Sequence, residues 1–371
     1  MSEITKVGII GCGQICRAYL EGGKEFKNIA ITTCADVLPD AAKAYAEQYQ
    51  IKAATVDQML ADPEIEIVIN LTNPHAHAEV ALKIIEAGKH AYSEKPLAVN
   101  TQDAKTILTA AKNKGVRVGC APDTFLGGGH QTARKIIDDG WIGTPIAGKA
   151  IFMSPGPKGV QRPALFYKAG AGPMFDLGPY YMTALVNMLG PAKRVSAMTT
   201  KGFDHRVANS KALKPGEKFS VDVPTHYSGS VEFCNGTVIT VIMSFDVAAY
   251  KHQHTIPIEI FGTQGSMLAP DPNGFGGPVE LATACLDQPE WTPCAMANGY
   301  VTNCRGIGVA DMADAIKNNR PHRASGELAY HVLEIMESFE KSSDAGQTIQ
   351  LLSSCERPSV VPLGLSQGRL N

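Results

Sequence analysis

At 371 residues, 44% hydrophobic and 19% charged, the chain is longer than one usual compact core and too apolar to stay unfolded, so two domains are expected. Its formal net charge is −2 with Lys and Arg spread along the chain, which excludes the basic face that nucleic acid or an anionic membrane requires. The start, Met1-Ser2-Glu3-Ile4, has no basic-then-apolar export signal, and no apolar run approaches the roughly 20 residues needed to span a bilayer. Nine cysteines, odd in number and without a CxxC pair, fit reduced thiols rather than a disulfide framework or a zinc site. A cytoplasmic protein with a small-molecule partner is the expectation.

In chain order, Val7-Gly8-Ile9-Ile10 predicts a buried strand and Gln14 to Lys24 a helix. A second strand at 29–33 is followed by a helix over 41–49, a strand at 66–70, a helix over 76–87, a short strand at 90–92, a helix over 101–114 and a strand at 116–119. Continuous apolar strands alternating with helices predict a parallel, doubly wound α/β domain over residues 1–122. The remainder, 123–371, is strand-rich, with runs at 147–153, 195–200, 226–233, 237–245 and 256–261. Asn235-Gly236 between two of them is a hairpin signal. An antiparallel sheet with helices on one face is expected, an α+β second domain. Helices at 307–318 and 327–341 follow, with the prospect of packing back on the first domain. Pro- and Gly-rich stretches at 154–163 and 270–278 predict loops, and the segment after Ile349 predicts an extended arm, a candidate to reach another subunit.

Gly11-Cys12-Gly13-Gln14-Ile15-Cys16 joins the first strand to the first helix. The first glycine permits the tight turn, and the second lets backbone N–H groups approach a pyrophosphate at the helix start. Cys16 stands where Gly or Ala is usual, a departure small enough to pack. Asp36 ends the second strand 20 residues after Cys16, where a carboxylate accepts hydrogen bonds from adenosine ribose hydroxyls. Val37 follows rather than an Arg that would welcome a 2′-phosphate, so NAD is favoured over NADP.

Ser93-Glu94-Lys95-Pro96 ends the strand of 90–92, where open α/β sheets place their ligands. Removing hydride from a secondary alcohol needs a group to take the hydroxyl proton. A lysine does so when burial and a cationic nicotinamide lower its pKa toward neutrality.

Taken together, the glycine loop, Asp36, Thr72-Asn73-Pro74 with His77, Glu94-Lys95-Pro96 and the run Gly170 to Tyr180 resemble the glucose–fructose oxidoreductase, inositol dehydrogenase and rhizopine catabolism family (Gfo/Idh/MocA). The likeness extends to the Gly262-Thr263-Gln264-Gly265 turn. It implies an active site holding Lys95 and Asp176, with Tyr180 where many members carry His. Asp176 and Tyr180 lie four apart, one helical turn on one face. Two readings stay open: a Tyr180–Lys95 pair relays the proton, or Lys95 is the base and Tyr180 binds substrate. The resemblance also implies that Thr72, Asn73, His77 and Glu94 line the cofactor side and that Asp123 lies near the substrate. The order Asn73-Pro74 reverses the family's usual Pro-Asn.

Tyr167 and Lys168 are candidates to stack on or hydrogen-bond a sugar, weighed against an ordinary surface aromatic. His322 precedes a helix on a basic turn that is a candidate to close over the cleft. His252 and His254 alternate but lack a third ligand for a metal, and Phe125 to Gly129 lacks the Lys-Ser/Thr of a triphosphate loop. The expected activity is NAD-dependent hydride transfer at a secondary hydroxyl of a sugar, glycoside or polyol, giving a ketosugar, by a homo-oligomer (dimer or tetramer). One alternative keeps NAD bound and cleaves or isomerises glycosides by oxidation and elimination. Another is a non-catalytic sensor, against which the intact Glu94-Lys95-Pro96 and Asp176 argue.

Overall fold

The computed structural model of the chain describes residues 4–157, 159–251, 257–284 and 290–371. Six strands build the first sheet: β1 (Thr5–Ile10), β2 (Ile29–Ala35), β3 (Lys52–Ala54), β4 (Ile65–Asn70), β5 (His90–Ser93) and β6 (Val118–Cys120). All pair in parallel, in the order β3-β2-β1-β4-β5-β6. The intervening helices are α1 (Cys16–Gly22), α2 (Pro39–Tyr49), α3 (Val56–Ala61), α4 (His77–Glu86) and α5 (Thr101–Lys114). Val7, Ile9, Ile67, Val68 and Ile69 are wholly buried, as a parallel sheet covered on both faces demands. The edge strand β3 and the short α3 had no apolar run to announce them. Thr55 starts α3 with a capping box, its side chain accepting from Gln58 N and its own N–H donating to the Gln58 side chain.

The second sheet has nine strands. In chain order these are β7 (Pro145–Met153), β8 (Ala192–Thr200), β11 (His226–Phe233), β12 (Val238–Ser244), β13 (Ile258–Gly262), β14 (Gly265–Ala269), β15 (Glu280–Thr283), β16 (Thr292–Pro293) and β17 (Ile349–Gln350), while a separate hairpin pairs β9 (His205–Val207) with β10 (Lys218–Ser220). It is mixed rather than purely antiparallel, because β7 and β12 run parallel at its centre. The Asn235-Gly236 turn joins β11 to β12 as expected, with Gly236 at φ 90°. One face, carrying Val195, Val231, Ile239, Val241 and Ala150, is buried in the core. The helices here are α6 (Gly128–Asp138), α7 (Gly172–Asp176), α8 (Gly178–Leu189), α9 (Ile307–Lys317) and α10 (Gly326–Ala345). α10 packs on β8 and α8, and also on α5 and β6 of the first sheet. Cys120 N donates to Ala324 O at 3.1 Å, and the carboxylate of Glu337 accepts from Thr101 N and Oγ1 at 2.6 and 2.9 Å. The two sheets are therefore tied together beside the C-terminal ends of β5 and β6.

One further expectation changes. The arm after Ile349 lies along its own chain, because buried side chains there need its backbone. Glu334 accepts from Leu352 N and Ser353 N, Gln131 from Val361 N, and Arg323 donates to Ser359 O and Val360 O. Gly127, Gly128 and Gly129 are close-packing glycines: a Cβ on any of them would sit 2.2–2.5 Å from a backbone oxygen of Phe275, Asn298 or Gly276. The pair His252 and His254 lies outside the described residues.

Candidate active site

Gly11 adopts φ 104°, and a Cβ there would lie 2.6 Å from the Leu71 carbonyl carbon, so only glycine makes the turn. A Cβ on Gly13 would meet nothing within 4 Å, so its exposed backbone borders open space. No side chain caps α1 at Ile15, and Gln14 is exposed beside it. Cys16 is fully buried, filling the small-residue position of the motif without strain on the turn. Asp36 ties the strand end to the loop by accepting from Cys12 N at 2.7 Å and Leu38 N at 2.8 Å. Val37 and Leu38 beside it are 88% and 65% exposed, an apolar shelf of the kind an adenine ring covers. These residues fit a dinucleotide.

Some distance along the strand ends, Lys95 Nζ donates to Asp176 Oδ1 at 2.9 Å and to Asp176 O at 2.7 Å, and lies 5.0 Å from the centre of the Tyr180 ring. The helix carrying the last two is broken: α7 ends at Asp176 and α8 begins at Gly178, with Pro179 in its first turn. The break still leaves both side chains against Lys95. Burial works against the lysine's charge, but Asp176, Tyr180 and Glu94 outweigh it and hold the ammonium above lysine's ordinary value. Lowering toward neutrality, the expectation for a free base, does not occur in the protein alone. Burial likewise raises the Tyr180 phenol, against the opposing pull of Lys95.

Arg305, which the sequence reading passed over, reaches the same cleft. Its guanidinium stands 3.5 Å from both Tyr180 Oη and Asn273 Oδ1 and 5.9 Å from the Phe275 ring. The one sequence cue was a basic residue before Gly306, the left-handed residue (φ 102°) that opens α9. Asp123 fixes that segment: its Oδ2 accepts from Gly306 N at 3.2 Å and Gly308 N at 3.1 Å. Burial pushes the Asp123 carboxyl up to about 6, against those two amides and Arg305. Asp123 is 2% exposed, which makes it a brace beneath the cleft rather than an open hydroxyl acceptor. Glu94 is braced too, accepting from Tyr19 Oη at 2.9 Å and Lys95 N at 3.0 Å.

Thr72 and Asn73 follow β4, with Thr72 Oγ1 donating to Asn70 Oδ1 at 2.7 Å and Asn73 exposed. His77 is buried, its ring nitrogens 2.7 Å from Pro96 O and 3.0 Å from Thr72 O. It clamps the two strand-end loops together. Tyr167 and His322 are not brought to the cluster. Tyr167 packs with Val221, Phe245 and Phe219 in a separate apolar cluster, and Lys168 pairs with Asp222 at 2.6 Å. His322 bonds Val118 O at 3.0 Å and lines a pocket with Leu108 and Lys112 of α5. It sits against β6 and α5.

Residues 5–121 match the NAD-binding Rossmann-fold model of the oxidoreductase family, and residues 130–268 match the Gfo/Idh/MocA C-terminal domain. The chain belongs to the Gfo/Idh/MocA oxidoreductase family. It is 26% identical over 359 residues to the 1,5-anhydro-D-fructose reductase of Ensifer adhaerens, covering 94% of this chain and 99% of that one. It is 27% identical over 248 residues to the levoglucosan dehydrogenase of Pseudarthrobacter phenanthrenivorans, 63% of each chain. A levoglucosan dehydrogenase solved with NADH and levoglucosan shares the fold at a TM-score of 0.81 and 22% identity, over 95% of this chain and 100% of that one. This Gfo/Idh/MocA member is thus an NAD-binding oxidoreductase.

Proposed function

We propose that this enzyme transfers hydride between NAD and a secondary hydroxyl of a sugar or polyol, with Lys95 handling the hydroxyl proton. When bound, the nicotinamide supplies or accepts the hydride. The observation that carries the reading is the Lys95 ammonium, held by Asp176 over the Tyr180 ring at the strand ends. There it donates a proton to the oxygen of a carbonyl as that carbon is reduced, and its free amine takes the proton back from a hydroxyl in oxidation. Asp176 orients and charges the amine, and Tyr180 bounds the substrate side, so Lys95 rather than Tyr180 is assigned the proton. Thr72, Asn73 and Glu94 frame the cofactor side, and His77 holds their loops in register. Relatives named for anhydrofructose and levoglucosan support a carbohydrate substrate.

Lys95→Met tests the assignment. Turnover is expected to fall about 10²- to 10⁴-fold, the usual contribution of a positioned acid–base group, while NADH binding persists. A variant with full turnover would remove Lys95 from the reaction.

A further inference from the structure

The cleft holds a guanidinium that no carboxylate contacts among the described residues. Lys95 is matched by Asp176 at 2.9 Å. Arg305 has no carboxylate within ion-pair distance among the described residues; its contacts are two long ones, at 3.5 Å, to a phenol and an amide oxygen. The nearby acids support its charge from a distance but hydrogen-bond elsewhere: Glu94 to Tyr19 and Lys95 N, Asp123 to the amides of Gly306 and Gly308. The guanidinium is also rigidly presented. A Cβ on Gly22 would lie 2.4 Å from Arg305 O, so the backbone there rests directly on α1, and Asn303 Nδ2 donates to Ala18 O at 3.1 Å.

A half-buried, preorganised guanidinium with no carboxylate in direct contact, in the same cleft as the proton-handling lysine, matches the two oxygens of a carboxylate. We propose that the substrate is a sugar acid, aldonic or uronic, whose carboxylate is received by Arg305. The proposal rests on reading this cleft as the substrate site. It assigns Asp123 as a positioning residue, since its carboxylate aims the segment that carries Arg305.

Calorimetric titration of the full-length, NADH-loaded protein tests this without requiring turnover. The probes are D-glucuronate, D-galacturonate and D-gluconate, each against its neutral counterpart D-glucose, D-galactose or D-sorbitol. At least one acid is expected to bind about tenfold or more tightly than its counterpart, a margin that Arg305→Met collapses. If Arg305→Met fails to fold, Arg305→Lys serves instead: it keeps the charge but loses the fork, and the margin should shrink. No acid preference, or a preference that survives both substitutions, would overturn the proposal. An Arg305-dependent preference without NADH chemistry would sink the proposed reaction yet leave the anion site standing. Turnover of neutral sugars with no acid preference would do the reverse.

Discussion

Lys95 shows how a residue legible in the sequence acquires its properties only from the fold. Glu94-Lys95-Pro96 marks the position, but the sign of the pKa shift depends on Asp176, 81 residues away in sequence. Because the charged form is favoured above lysine's ordinary value of about 10.5, the ammonium persists through neutral pH. Carbonyl reduction consumes that proton, so its rate should stay level through neutral pH and fall only in the alkaline range. Hydroxyl oxidation needs the free amine, so its rate should climb by up to about tenfold per pH unit as alkalinity rises. Steady-state rates in both directions across pH check this; an oxidation rate already flat at neutral pH would contradict it. Arg305 was illegible for the converse reason. A lone Arg before a glycine has no motif, and its value comes from Asp123 and Gly22, which only the folded chain brings to it.

At the scale of elements, the strands and helices with strong apolar periodicity emerged close to their expected bounds. α5 runs over Thr101–Lys114 as read, and the Asn235-Gly236 hairpin forms. What was hidden lacked such a signal. β3 is a mostly exposed edge, the helix break at Leu177 rests on Pro179, and the parallel β7–β12 pairing is a long-range choice of register. The C-terminal arm is the plainest case, since buried side chains rather than periodicity decide its path. Arg323 is 4% exposed and bridges wholly buried Asp311 to the arm at Ser359 O and Val360 O. Arg323→Met should leave Asp311 with Arg320 as its remaining cation and take the guanidinium donors from the arm, at a cost of roughly 1.5–3 kcal/mol. Limited proteolysis read by mass spectrometry should then release fragments of the arm from an otherwise folded protein; an arm as resistant as in the wild type would refute this account of what holds it.

For the whole molecule, the proposed chemistry depends on two domains meeting at one edge. The first supplies the glycine loop, Asp36 and Lys95; the second supplies Asp176 from α7 and Tyr180 from α8, and the α9 approach, docked on α1, supplies Arg305. That division was visible early because strand–helix alternation gives way to strand-rich sequence, whereas the closure between the halves was not, being built from single contacts such as Thr101 to Glu337. The measurement that bears most directly on the central claim is NADH absorbance after mixing the purified protein with excess NAD and a panel of sugars, polyols and sugar acids. The account predicts a steady rise, one NADH for each product formed, with one class of substrate. Product formed with no net NADH, from a trace of cofactor alone, would contradict it and point to a reaction in which the cofactor is regenerated in place.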